Sequence, residues 1–280
     1  MSMGKSVWGD EMALQARAMS RRERRRLETY DEIVEVAREV LREGHDLSVR
    51  AVATQMGMTS PALYRYIDSI DQLHLLVAHG ICTDVVAAMD KARDHYSCDD
   101  PAARLAASAT ALRCWAMANR IEFRMAFANA TLAAASCPIR RKALGLLPEG
   151  DDDSSNPFAA HFARLFIDLH SQGLIVVPTA DDLDPGLHVL IQKSAAQRDN
   201  PFYAALGVDG LGAYWLFKLA WVRLYGVLVA EVYGQVDEEL IGSDAVFNTL
   251  MRETFSSLGL ADRWERLVEV SRDTALRADD

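Results

Sequence analysis

The chain has 280 residues, half of them hydrophobic and a quarter charged, a composition that argues against long disorder and allows a small module plus a sizeable domain, each with its own core. Its net charge of −10 speaks against a protein that meets phosphate over its whole surface, because neutralising a nucleic-acid backbone needs Lys and Arg.

The charge is unevenly placed. Residues 1 to 26 carry Lys5, Arg17, Arg21, Arg22, Arg24, Arg25 and Arg26 against only Asp10, Glu11 and Glu23, so a basic N-terminal arm is expected ahead of an acidic body, suited to docking on a polyanion by one end. From Met1 to Asp10 there is no apolar run of the kind a secretory signal needs, and a cytoplasmic location is expected.

Over residues 28 to 43, Ile33, Val36, Ala37, Val40 and Leu41 fall at helical spacing, and Gly44 supplies the stop. Ser48 is a good N-cap for a short second helix with Val49, Val52, Ala53 and Met56 inward. Gly57 breaks that helix, and Thr59 or Ser60 followed by Pro61 opens a third. After the cap candidate Ser69, a long helix runs through Leu73, Leu76, Val77, Ile81, Val85 and Met89.

Beyond Asp99, Asp100 and Pro101, residues 102 to 118, 121 to 135, 157 to 172, 202 to 235, 244 to 257 and 262 to 276 favour helix, with turn-rich loops at 148 to 157 and 178 to 186. Leu174 to Val177 is strand-like but too short to change an all-α expectation. The most apolar stretch, Leu211 to Ala230, carries Lys218 and Arg223 near its centre, which fits a buried helix and not a membrane span. Leu224, Leu228, Val232 and Val236 form an i+4 stripe that would pack against a second copy, so a homodimer held by 211 to 235 and 244 to 257 is expected, or else this stripe is the core of a monomer.

Site chemistry is sparse outside the N-terminal third. Cys82, Cys98, Cys114 and Cys137 form no Cys-x-x-Cys pair and read as small buried hydrophobes in a reducing compartment. The histidines make no metal-ligand pattern, and Asp151, Asp152 and Asp153 fan out along a solvated loop. There is no phosphate-binding glycine loop and no Gly-x-Ser-x-Gly; neither a cofactor, a metal nor an enzymatic activity is expected.

The informative stretch is Ser48 to Ile67. Two steeply crossing helices need a small residue at their approach, a residue tolerant of the left-handed conformation at the turn, and an apolar residue sealing the contact. Ala53, Gly57 and Leu63 meet those needs, which leaves Thr59, Ser60, Ala62, Tyr64 and Arg65 to face a major groove.

Residues 31 to 75 resemble the DNA-binding domain of the TetR family of bacterial one-component regulators, above all in Ala62-Leu63-Tyr64-Arg65-Tyr66 followed by Asp71-Gln72-Leu73. The resemblance implies a helix-turn-helix head over 27 to 72 and a helical body over 73 to 280 that binds a ligand and dimerises. It further implies two heads on a palindromic double-stranded operator. By the same resemblance Ser48 and Arg50 lie near phosphate, Thr59, Ser60, Pro61 and Ala62 at the groove, Tyr64 on a phosphate, and Arg65 or Tyr66 on base edges or backbone. Many members have a lysine where this chain has Ile70, so that phosphate contact is not carried over; the Arg21 to Arg26 cluster could replace it along the backbone or in the minor groove, or lie in solvent.

In the body, Trp221-x-x-x-Tyr225-Gly226 resembles, loosely, a motif in one branch of the family's C-terminal domains. Trp115, Phe123, Phe127, Phe162, Phe166, Trp215, Phe217, Trp221 and Tyr225 supply aromatic surface for an apolar ligand chamber, with His170 as its polar handle; each singly also suits a core. The function expected is a sequence-specific transcriptional repressor released by a small apolar or amphipathic effector. The alternative is a DNA-binding regulator that answers to a protein partner or to no ligand.

Overall fold

The computed structural model describes residues 21–127, 157–183, 186, 189, 201–206 and 210–278. Regular structure among them is helical throughout, without a strand, so the architecture is all-α. The chain divides into two compact units, Met1–Val77 and Ala78–Asp280.

The first unit is built from α1 (Arg21–Arg42), α2 (Val49–Gln55), α3 (Ser60–Leu63) and the first turns of α4 (Ile70–Asp94). Ile33, Ala37 and Val40 on α1 close over Val52 and Ala53 of α2, Leu63 of α3, Ile67 and Leu73, all at most 2% exposed. The arginines from Arg21 to Arg26, expected in the basic N-terminal arm, are helical; residues 1–20 lie outside the described residues.

The second unit surrounds α5 (Pro101–Ala118), whose start is set by Asp100, the N-cap that accepts a hydrogen bond from the Ala103 N–H (3.1 Å), and by Pro101 behind it. Thirteen of its eighteen residues are buried, most of them alanine, as expected of a helix that is apolar all round and enclosed. Around it lie α6 (Arg120–Phe127), α7 (Pro157–Ser171), α9 (Gly210–Val232) and α12 (Trp264–Ala278), with α8 (Pro201–Leu206), α10 (Glu238–Gly242) and α11 (Ala245–Ser257) completing the unit. Leu267, Val270 and Thr274 of α12 repeat at i, i+3 and i+7 and are buried. The small side chains of α5 let α12 approach closely, and the Tyr96 hydroxyl donates to Asp273 at 2.8 Å.

Three polar fastenings tie this unit together. The Arg113 guanidinium on α5 grips the fully buried Glu231 carboxylate of α9 through Nε (2.7 Å) and a second nitrogen (3.1 Å). It also donates to the Ile241 carbonyl (3.0 Å), pairs with Asp244, and lies 4.8 Å from the Phe247 ring centre. Asp244 holds the left-handed conformation (φ 58°) just before α11. Arg124 donates to the Val232 carbonyl at the end of α9 and stacks over Tyr233 at 4.9 Å.

Several expectations are revised. Within the helix foreseen over 202 to 235 the structure describes α8 and α9, and residues 207–209 lie outside the described residues. Leu174 to Val177 forms no strand. The segment from 128 to 135, the loop at 148 to 156 with Asp151 to Asp153, and Cys137 lie outside the described residues. The stripe assigned to dimerisation is interior: Leu224, Leu228 and Val232 are 5%, 0% and 0% exposed, because α9 is apolar on nearly every face and its inward face is the one that meets α5. Its outward face instead leaves Val222 65% exposed. Among the described residues one helix, Ile70–Asp94, is long and apolar enough to cross a membrane by length and composition, and half of its most apolar window is buried within the protein.

Candidate nucleic-acid interface

Ser48 caps α2 with extended backbone (φ −143°, ψ 150°) and a hydroxyl that accepts from the Ala51 N–H at 3.1 Å. The helix ends in a glycine-capped turn: Gly57 is left-handed (φ 67°), its N–H donates to Thr54 O (3.1 Å), and the Met58 N–H reaches back to Ala53 O (2.8 Å). Thr59 then caps α3 through its carbonyl, which takes the N–H groups of Ala62 (2.9 Å) and Leu63 (3.1 Å), while its own hydroxyl makes no capping bond.

Of the expected interface residues, Arg50, Thr59, Pro61, Tyr64 and Arg65 are exposed; Ser48, Ser60, Ala62 and Tyr66 are half-buried. Leu63 and Ile67 point inward with no exposed surface, so the Tyr64 ring, 51% exposed, must point out. Thr59, Pro61, Tyr64 and Arg65 are thus the exposed residues on and around α3. Ser48 spends its hydroxyl on the cap.

Tyr66 has a second role that the sequence does not signal. Its carbonyl accepts from the Tyr30 hydroxyl at 2.9 Å, and the two rings meet edge to face with centres 5.9 Å apart. Arg26, one turn earlier on α1, donates to the Tyr30 hydroxyl (3.1 Å) and sits over its ring at 5.6 Å. The entry to α4 is fixed by Ser69, whose hydroxyl accepts from the Gln72 N–H at 3.1 Å, and by the buried Gln72 side chain, which accepts from the Asp68 N–H. Ile70, at the start of α4, is 37% exposed.

In the body the ten candidate ligand residues are not gathered around one space. Phe162, Phe166 and Trp221 line a cavity of about 30 Å³ with Phe217, Leu105 and Ala109 among others, a volume that suits one or two waters. Phe123 stacks on Phe127 (5.0 Å) and approaches Tyr225 (6.5 Å), whose hydroxyl donates to the Phe127 carbonyl at 2.7 Å. Trp221 stacks on Tyr225 at 5.5 Å, joining the two clusters. Trp215 packs on Leu183 and Leu211, and Trp115 and His170 are half-buried away from the cavity.

The buried histidine of α7 is His161, not His170. Its Nδ1 lies 2.9 Å from Asp90 Oδ1 on α4 and its Nε2 2.9 Å from Ser108 Oγ on α5. Burial, the larger effect, pushes its pKa below the ordinary 6.5, and Asp90 opposes that. Arg93 closes the group by pairing with Asp90 and Asp94, and Arg104 adds a bond to Asp94 at 2.7 Å. No metal-holding group of His, Cys, Asp and Glu occurs among the described residues.

No family model matches the chain. Over 83 residues it is 35% identical to the HTH-type transcriptional regulators Rv1816 of Mycobacterium tuberculosis and Mb1846 of Mycobacterium bovis. That match takes in 30% of this chain and 36% of each relative, so it spans about a third of the length of these curated relatives. A longer match reaches another HTH-type transcriptional regulator of Mycobacterium tuberculosis, Rv0681, at 25% identity over 211 residues, 75% of this chain and 72% of that protein. The crystal structure of the regulatory protein SCO4313 superposes with a TM-score of 0.52 at 24% identity, covering 86% of this chain and 100% of that one. The chain is therefore similar in sequence to proteins named as helix-turn-helix transcriptional regulators, and it shares the fold of the SCO4313 structure.

Proposed function

We propose that the chain is a sequence-specific, DNA-binding transcriptional regulator of the TetR type. It acts as a homodimer on a palindromic operator, and as a repressor released by a small apolar or amphipathic effector. The observation that carries the reading is the α2–Gly57–α3 turn, which buries Leu63 while leaving Thr59, Pro61, Tyr64 and Arg65 exposed. That is the shape and chemistry a major groove accepts, and the relatives named above support it.

The test is a mobility-shift titration against duplex fragments selected from the source genome. Tyr64→Ala is expected to weaken binding by about 1–3 kcal/mol, the usual weight of one good contact, with thermal unfolding unchanged. Equal affinity for both proteins would remove this docking of α3.

A second reading has an observation of its own. A cavity of about 30 Å³ is too small for an effector unless Phe162, Phe166 and Trp221 move, which favours a regulator that answers to a protein partner or to no ligand. The two readings part on one measurement: an apolar effector bound at a hundred times its Kd raises stability by about 2.7 kcal/mol, and no such rise across a panel of fatty acids and aromatic compounds would leave the second reading standing.

A further inference from the structure

Five of the six residues from Arg21 to Arg26 are arginine, and they form the first turns of α1. Arg21, Arg22, Arg24, Arg25 and Arg26 are all exposed. This segment therefore carries a concentrated positive charge.

One of these arginines is held in place. The Arg26 guanidinium lies over the Tyr30 ring and donates to its hydroxyl, which in turn donates to the Tyr66 carbonyl directly behind Tyr64 and Arg65. Arg22 and Arg26 stand one turn apart on the face of α1 that carries Tyr30, whereas Arg24 is on the opposite face. The basic turns of α1 and the groove-facing segment are thus fastened to each other inside one compact unit.

We propose that Arg22 and Arg26 form a second DNA-contacting surface, a clamp on the phosphates flanking the groove that α3 enters, and that Tyr30 is the positioning residue that keeps it in register. The inference rests on the head reading given above. Duplex DNA is the partner because the face offers guanidinium groups fixed beside a groove-facing helix, which matches a regular row of phosphates. The contact is helical and backbone-directed, so it adds affinity without sequence preference.

The experiment is fluorescence anisotropy with a random-sequence duplex of about 30 base pairs, titrated from about 50 to 200 mM salt. Two phosphate contacts contribute about 1.8 to the slope of log affinity against log salt. The unaltered protein is therefore expected to lose about twelvefold more affinity over that range than Arg22→Gln/Arg26→Gln. Arg24→Gln, which removes a charge from the opposite face, is expected to leave the slope unchanged. Tyr30→Phe keeps every arginine and is expected to lower affinity at fixed salt by about fivefold, the weight of one hydrogen bond. Parallel salt lines for the unaltered protein and the double variant overturn the clamp while the head reading stands. A fall in slope for Arg24→Gln equal to that for Arg26→Gln also overturns it, leaving general electrostatics only. No binding by the unaltered protein at the lowest salt overturns the head reading and the clamp with it.

Discussion

Gly212, in the first turn of α9, faces the carbonyl of Pro178, and a Cβ at that position would lie 2.0 Å from the oxygen. Two backbones meet where no side chain fits, so Gly212→Ala is expected to cost about 1–3 kcal/mol by overpacking, read as a fall in thermal midpoint. Arg113 makes the opposite case, a residue whose removal leaves something behind. Arg113→Leu strands the Glu231 carboxylate with no exposed surface and is expected to cost about 3–5 kcal/mol. The double variant Arg113→Leu/Glu231→Leu should recover most of that in denaturant unfolding, and a double variant no better than the single one would show that the pair itself, and not the orphaned charge, holds α5 to α9. At this scale the sequence was legible wherever the determinant was local. Ser48, Gly57 and Pro61 act on neighbours within a few residues, and each does what its chemistry suggests. Tyr30 and Tyr66 are 36 residues apart, and no pattern in either segment announces their bond.

Between elements, the group formed by Asp90 on α4, Ser108 on α5 and His161 on α7 has a consequence for pH. Burial depresses the His161 pKa below 6.5, so the folded protein prefers the neutral ring, with Nδ1 beside Asp90 and Nε2 beside the Ser108 hydroxyl oxygen. The unfolded chain takes up a proton first as pH falls, and the stability contributed by neutral His161 is present above 6.5 and lost below it. Urea midpoints are expected to hold steady above that value and decline beneath it, with His161→Gln giving a shallower decline; identical pH profiles would refute the assignment. Helix positions were legible because amphipathic spacing and caps are periodic and short-range, as in α1, α4 and α5. The faces of α9 were not. A helix with apolar residues on almost every side gives no period from which to tell inward from outward, so Leu224 and Leu228 read as an interface when they are core. The aromatic residues failed for a related reason: their number is visible in sequence, while their division between the Phe123 and Phe162 clusters depends on contacts across about a hundred residues.

For the molecule as a whole, the outward surface of α9 and α11 bears on assembly. Val222 is 65% exposed on α9, and Ala245, Val246, Thr249 and Leu250 line an open groove on α11. The proposed homodimer would use this surface, and in sedimentation equilibrium it would give a mass near twice 31.0 kDa. Val222→Arg is expected to return the mass to that of one chain, and an unassociated wild-type protein at micromolar concentration would remove the two-headed operator. The two units also differ in how far their fastenings reach along the chain, and that difference sets an order of events during synthesis. The head closes over contacts such as Gln55 with Glu39, 16 residues apart, and Tyr66 with Tyr30, 36 apart. α5 must wait for α12, across spans such as the 177 residues between Tyr96 and Asp273. At a ribosomal rate of about 5–20 residues per second, roughly 7–30 s pass between the emergence of α5 and that of α12. During that interval the head can already be folded while the alanine-rich centre of the body lies uncovered, and this is the stage at which the nascent protein is most exposed to chaperones and to aggregation.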